Sequence, residues 1–267
     1  MLLFHLVILA LVQGITEFLP VSSSGHLVLA HHLLGPGALE TDRMIDIAVH
    51  VGTLFAVLLY FRRDIARMAG AVKDGPSGRS LLFLILAGSL PVVIAGGALH
   101  IYSPSWLQSL HLMAWCTLVF GIVLWLADRA PAHKTMDDIG MKQAFLIGVA
   151  QVLALVPGTS RSGITMSAAR AMGINRVDAA RFSLLLAIVA ISGAGALGGF
   201  DLWRTGDMAL GFDVLVAVTL AFLSAWAAIA LMMRWLERAS FTVFALYRVV
   251  LGGLLLVLLY GGVLGAS

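Results

Sequence analysis

The stretch Gln13-Gly14-Ile15-Thr16-Glu17-Phe18-Leu19-Pro20-Val21-Ser22-Ser23-Ser24-Gly25-His26 interrupts an apolar run that begins at Leu2 and resumes at Leu27. Residues 2–15 are too short to cross a bilayer, which takes about 20 predominantly apolar residues, and they fit a re-entrant segment instead. A proline, three serines and a glycine make the break, and residues 27–34 lead back out of it. The same design recurs at Pro157-Gly158-Thr159-Ser160-Arg161-Ser162-Gly163-Ile164-Thr165, between the short apolar stretches 144–156 and 164–172. Two hairpins that enter a membrane and turn back inside it are predicted.

Between and after them lie six runs long enough to span: 44–61, 81–100, 106–127, 182–200, 214–233 and 241–262. Of the 267 residues 60% are hydrophobic and 12% charged, where a soluble domain carries about 25% charged residues. That balance excludes a soluble enzyme and a disordered chain. A nucleic-acid-binding module is excluded as well, because the pI near 9.4 rests on 17 basic against 14 acidic residues. Cys116 stands alone among apolar neighbours, so no disulfide framework exists and redox chemistry is not expected. The first residues lack the basic segment and small-residue cleavage site of a secretory signal and read as mature structure. The fold class is an all-α polytopic membrane protein forming a single integral membrane domain.

Basic residues collect in cytoplasmic loops and so test this count. With six spans and two re-entrant hairpins, Arg62, Arg63, Arg67, Lys73, Arg79, Arg129, Lys134, Lys142, Arg170, Arg176, Arg181, Arg234 and Arg238 share one side. Arg43 and Arg204 fall on the other, with Glu40, Asp42, Asp201, Asp207 and Asp213. Had either hairpin crossed, the basic residues would be split. The first hairpin then enters from outside and the second from the cytoplasm, which predicts inverted-topology repeats over about 1–127 and 141–262, with Pro20 set against Pro157 and Ser23 against Ser160. Broken helices of such repeats meet near the midplane and build the functional site there.

Polar residues on these turns are the candidates for chemistry, because irregular backbone at membrane depth must be buried in protein or line an aqueous cavity. The first turn offers Gln13 and Glu17, four apart on one helical face, with Ser22, Ser23, Ser24 and His26; the second offers Thr159, Ser160, Arg161, Ser162 and Thr165. A guanidinium beside the start of a half-helix is an anion site, with phosphate the natural occupant. Glu17 can act as a base, His26 as acid or base, and Ser23 as an activated nucleophile. A structural pairing of Arg161 with Glu17, and serines that merely cap a half-helix, are the plainer alternatives. Arg248, near the cytoplasmic end of the last span, is expected to snorkel, and the histidines, His50 within a span among them, show no metal-ligand spacing.

The two turn sequences closely resemble the two signatures of the bacterial undecaprenyl-diphosphate phosphatase family, and Gly52-Thr53-Leu54 and Phe244-Ala245-Leu246-Tyr247-Arg248 extend the likeness over essentially the whole chain. The resemblance implies an enzyme of the bacterial cytoplasmic membrane whose site opens on the outer face. It would remove the terminal phosphate of undecaprenyl diphosphate and so recycle the lipid carrier of cell-wall synthesis. It further implies bacitracin resistance, with bacitracin competing for the lipid substrate, surrounding bacterial membrane lipids, and a divalent cation, Mg²⁺ or Ca²⁺. A homodimer is compatible with it. Carried onto this chain, the acidic motif falls on Gln13 and Glu17, the Ser/His motif on Ser22, Ser23 and His26, and the Arg motif on Ser160, Arg161, Ser162 and Thr165. Several family members have Glu where this chain has Gln13, which leaves the metal ligands open. A shorter likeness of Ser23-Ser24-Gly25-His26 to the type 2 phosphatidic-acid phosphatases lacks the later His and Asp and is set aside.

The expected mechanism has Arg161, Ser160, Thr165 and the half-helix N–H groups holding the diphosphate. Glu17 takes the Ser23 proton, and His26 protonates the leaving phosphate or positions water; His26 or a Glu17-activated water can instead serve as nucleophile. The lipid tail is expected between spans at Gly193, Gly195, Gly198 and Gly199. A transporter or flippase using the same phosphate site is the competing class, because inverted repeats with broken helices are common in transporters.

Overall fold

A computed structural model describes residues 3–34, 43–71, 81–102, 104–205 and 212–264. The charges at Glu40, Asp42, Lys73, Arg79 and Asp207 lie outside the described residues, as do the side chains of His31, His32, Arg43, Asp201 and Arg204. The chain forms α1 (Leu3–Phe18), α2 (Ser23–Leu34), α3 (Arg43–Tyr60), α4 (Arg62–Ala71), α5 (Leu81–Tyr102) and α6 (Leu110–Asp128). It continues with α7 (Met141–Val152), α8 (Arg161–Ala171), α9 (Arg176–Thr205), α10 (Phe212–Leu236) and α11 (Thr242–Tyr260).

Among the described residues five helices are long and apolar enough to cross a membrane: α5, α6, α9 through Gly198, α10 and α11. The sixth expected span, 44–61, coincides with α3, which is long and apolar enough only together with α4, beyond a bend of 74°. The bend falls where Phe61 meets Arg62-Arg63-Asp64, since a charged first turn cannot continue into the apolar layer. The polypeptide is thus a multi-pass all-α membrane protein. Leu3–Phe18 and Met141–Leu155 remain the short apolar helices that open the two hairpins.

The hairpin breaks are tighter than the sequence suggested. α2 begins at Ser23 rather than near Leu27, and α8 at Arg161 rather than near Ile164, so the polar residues stand on the first turns of half-helices. Ser160 caps α8, its hydroxyl accepting from Gly163 N–H at 3.2 Å. Ser22 and Ser160 have φ of 70° and 67°, a left-handed conformation that side chains other than Gly seldom adopt. Each of these serines stands one residue before a half-helix, Ser22 before α2 and Ser160 before α8. Gln13 and Gln151 are both buried, each with a carbonyl oxygen that has no partner among the described residues.

Packing exchanges partners between the halves: α1 lies on α10, α7 on α5, α6 on α11 and α3 on α9. Glycines permit the closest approaches. A Cβ on Gly14 of α1 would strike Ser224 Oγ of α10, and one on Gly148 of α7 would strike the Gly88 carbonyl of α5. At the end where basic residues gather, carboxylates bind several of them. Asp128 takes Arg170 at 3.2 Å and Arg176 at 2.7 Å, and Asp64 pairs with Arg181. Arg170 is 1% exposed and also donates to the carbonyls of Asp128, Ala130 and Ile174. These arginines hold helix ends together as well as marking a side.

Candidate active site

Both hairpins bring their N-terminal half-helix ends to one junction. Ser24 Oγ accepts from Gly158 N–H at 3.1 Å, and Ser162 Oγ donates to the Leu19 carbonyl at 2.9 Å, so each turn is pinned by a serine of the other. Within each turn the paired hydroxyls, Ser22 with Ser24 and Ser160 with Ser162, lie 3.2 Å apart. Ser23 differs: its hydroxyl takes no hydrogen bond among the described residues. Of the two serine runs it is the member whose oxygen is not committed to holding the fold.

Glu17, in the last turn of α1, meets Arg161, the first residue of α8, at 3.1 Å between Oε1 and Nη2. A carboxylate at a helix C-terminus opposes the macrodipole, and the guanidinium offsets that cost. The side chains are 11% and 14% exposed, so the pair is mostly but not wholly buried. Arg161 Nη1 is buried and has no partner among the described residues. The guanidinium is therefore bound along one edge and vacant along another, beside the positive end of α8.

Gln13 Nε2 donates to Glu17 Oε2 at 2.8 Å and lies 3.2 Å from His50 Nε2. His50 Nδ1 stands 2.7 Å from the Asp46 carbonyl, which can only accept, so the proton is on Nδ1 and Nε2 accepts from Gln13. His50 thereby joins the line His50–Gln13–Glu17–Arg161. Sequence reading placed it in a span without a role; its signal was an imidazole at membrane depth. The arrangement leaves Gln13 Oε1 buried and without a partner. Among the described residues no group of three or more His, Cys, Asp or Glu side chains gathers around a metal position. Gln13 turns Nε2, not Oε1, toward Glu17, and both Glu17 oxygens already accept hydrogen bonds, so in this arrangement Gln13 and Glu17 do not present two free oxygens to one hard cation.

The other expected residues divide. His26 bonds to neither Glu17 nor Arg161 but to the Ser22 carbonyl and Tyr247. Thr165 is fully buried, its hydroxyl bonded to the Arg161 carbonyl at 2.8 Å and to Ser183 Oγ at 2.6 Å, which ties α8 to α9.

Arg248 does not snorkel. It is 0% exposed and donates to the carbonyls of Gly158 and Thr159 at 2.8 Å each and of Thr117 at 3.3 Å. Gly163 makes room for it, since a Cβ there would sit 2.5 Å from Nη1. The second turn leaves carbonyls without helical partners, and the guanidinium satisfies two of them. Arg248→Met should lower stability by about 2–3 kcal/mol, because two turn carbonyls lose a charged donor while a buried charge is removed. A melting midpoint in detergent equal to that of the parent would contradict it.

Fold and site define a polytopic α-helical membrane protein with an acid, a free hydroxyl and a half-vacant guanidinium at the junction of two broken hairpins. The chain belongs to the bacitracin resistance protein BacA family, whose model matches residues 6–254. It is 47% identical to the undecaprenyl-diphosphatase of Ruegeria pomeroyi over 97% of this chain and 100% of that protein. It is 48% identical to the undecaprenyl-diphosphatase of Maricaulis maris (96% and 99%) and 41% identical to that of Alteromonas mediterranea (96% and 98%).

Proposed function

We propose that this protein hydrolyses undecaprenyl diphosphate to undecaprenyl phosphate and inorganic phosphate. The half-vacant Arg161 at the start of α8 carries the reading: it offers an unpaired donor, Nη1, and a helix N-terminus to an anion at membrane depth. The naming of the relatives supports it, and no observation favours a transporter. The inverted repeat belongs to the same proposal, supported by the left-handed Ser22 and Ser160 and by the exchange of packing partners. So do placement in the bacterial cytoplasmic membrane with the site open outward, competition by bacitracin for the lipid, and a homodimer.

The chain's own groups divide the work. Arg161 and the α8 N–H groups bind the terminal phosphate and stabilise charge developing on its oxygens. Ser23 Oγ attacks phosphorus, the bridging P–O bond breaks, undecaprenyl phosphate departs, and water then hydrolyses the phosphoserine. Glu17 accepts the Ser23 proton; His26 serves the leaving oxygen or the water. A Mg²⁺ or Ca²⁺ held mainly by the substrate phosphates, with Glu17 as the carboxylate in reach, would neutralise diphosphate charge. A groove of about 900 Å³ between α5 and α9, lined by apolar residues including Gly193 and Gly198, is proposed for the isoprenoid tail. It reaches Leu155, which leads into the second turn.

Purified protein in detergent should release phosphate from undecaprenyl diphosphate; binding without release would overturn the hydrolase reading. Nothing lies within 4 Å of a Cβ built on Gly193, so Gly193→Leu meets no clash at Cβ and narrows the groove. It should raise KM for the long-chain substrate about tenfold and leave a short-chain prenyl diphosphate unaffected, the tail's loss of buried apolar area setting the size. Equal effects on both chain lengths would remove the groove from the site.

A further inference from the structure

His26 Nδ1 lies 2.8 Å from the carbonyl of Ser22, one helical turn back on the strained residue that opens α2. A carbonyl only accepts, so Nδ1 carries the proton and Nε2 presents its lone pair. That lone pair faces Tyr247 Oη at 2.6 Å, and the rings are stacked 9° from parallel with centroids 5.4 Å apart. Both imidazole nitrogens are therefore engaged, one by the first hairpin and one by α11.

The neighbour of Tyr247 explains why α11 is a fit place for such a partner. Arg248 locks α11 onto the second turn through Gly158 and Thr159 and onto α6 through Thr117. Gly121 and Gly252 bring α6 and α11 close: a Cβ on Gly121 would lie 2.8 Å from Arg248 Cβ, and one on Gly252 2.6 Å from Leu118 N. Consecutive residues of one rigid helix thus hold opposite hairpins, Tyr247 the first and Arg248 the second. Tyr247 is 45% exposed, so its hydroxyl is not buried to satisfy a core acceptor.

Resting on the hydrolase reading, we propose that Tyr247 is a positioning residue for His26. Its O–H donates to Nε2 and aims the working nitrogen until the lipid phosphate or the water displaces it, the Ser22 carbonyl already holding the proton on Nδ1. The hydroxyl does not touch the reacting phosphorus. Tyr247→Phe keeps the ring and the stack and removes only the donor.

Two measurements on the full-length protein in detergent test this. The first is turnover in a double-mutant cycle. Tyr247→Phe should lower kcat about tenfold with KM within twofold, the size expected for one lost hydrogen bond to a working group. Tyr247→Phe added to His26→Ala should cost less than twofold more than His26→Ala alone. The second is the ring ¹⁵N shifts of His26: Nδ1–H in both proteins, with Nε2 moving to the shift of a lone pair without a hydrogen-bond donor in Tyr247→Phe. Additive losses, or an unchanged Nε2 shift in the variant, would overturn the role of Tyr247 while leaving the hydrolase reading intact. Full turnover in His26→Ala would overturn both the role of His26 and that of Tyr247. A melting midpoint shared by parent and Tyr247→Phe separates positioning from loss of fold.

Discussion

Arg161→Ala will lower kcat by about a thousandfold or more, the scale on which a phosphate-stabilising arginine acts. Arg161→Lys will recover part of it, because an ammonium restores the charge but not the second donor edge that Nη1 provides. The competing account makes the pair with Glu17 a lock between hairpins. Both side chains are mostly buried, so removing one partner leaves a charge uncompensated and should cost about 3–5 kcal/mol of stability in either case. Stability alone therefore cannot separate the accounts, but the double variant Glu17→Ala/Arg161→Ala can. It removes both charges, so much of the lost stability returns. If the pair were only a lock, turnover would return with it. The expected result is a folded, inactive protein, measured as a melting midpoint near that of the parent beside absent phosphate release.

The meeting of Glu17 and Arg161 was legible because charge is scarce in this chain. Glu17 and Arg161 stand on the two broken hairpins, and a membrane protein does not keep ionisable groups there without use or partner. The spans were legible from length and apolarity, within the shifts already described. Three things were not. The bend after Phe61 depends on where a charged turn meets the apolar layer, which a hydropathy window averages away. The positive φ at Ser22 and Ser160 has no sequence signal, because a glycine would announce such a conformation and a serine does not. Arg248 looked like a snorkelling residue near a span end because sequence shows neither the second turn's carbonyls nor the hole at Gly163. The same blindness hid His50 and Tyr247, whose roles lie in contacts 37 and 221 residues away along the chain. Identity of groups can be read from sequence; which of them are already spent on the fold cannot.

That distinction bears most on Ser23. Ser22, Ser24, Ser160 and Ser162 all have hydroxyls bonded within or between the turns, so replacing any of them perturbs the junction. Ser23→Ala removes an oxygen with no bond in the described structure, at the first residue of α2, and should leave the stability within about 0.5 kcal/mol of the parent. If Ser23 Oγ attacks phosphorus, turnover should nonetheless fall by about ten-thousandfold, as when a nucleophile is deleted from its activated set. If Ser23 only cushions the phosphate, the fall should stay near tenfold, the worth of one hydrogen bond. The gap between these two outcomes exceeds any plausible error in either. Rapid quench of the parent with substrate labelled in the terminal phosphate should trap that label on the protein within one turnover, and Ser23→Ala should trap none. Water activated directly by Glu17 would leave both proteins unlabelled and Ser23→Ala active, which would move the nucleophile off the chain.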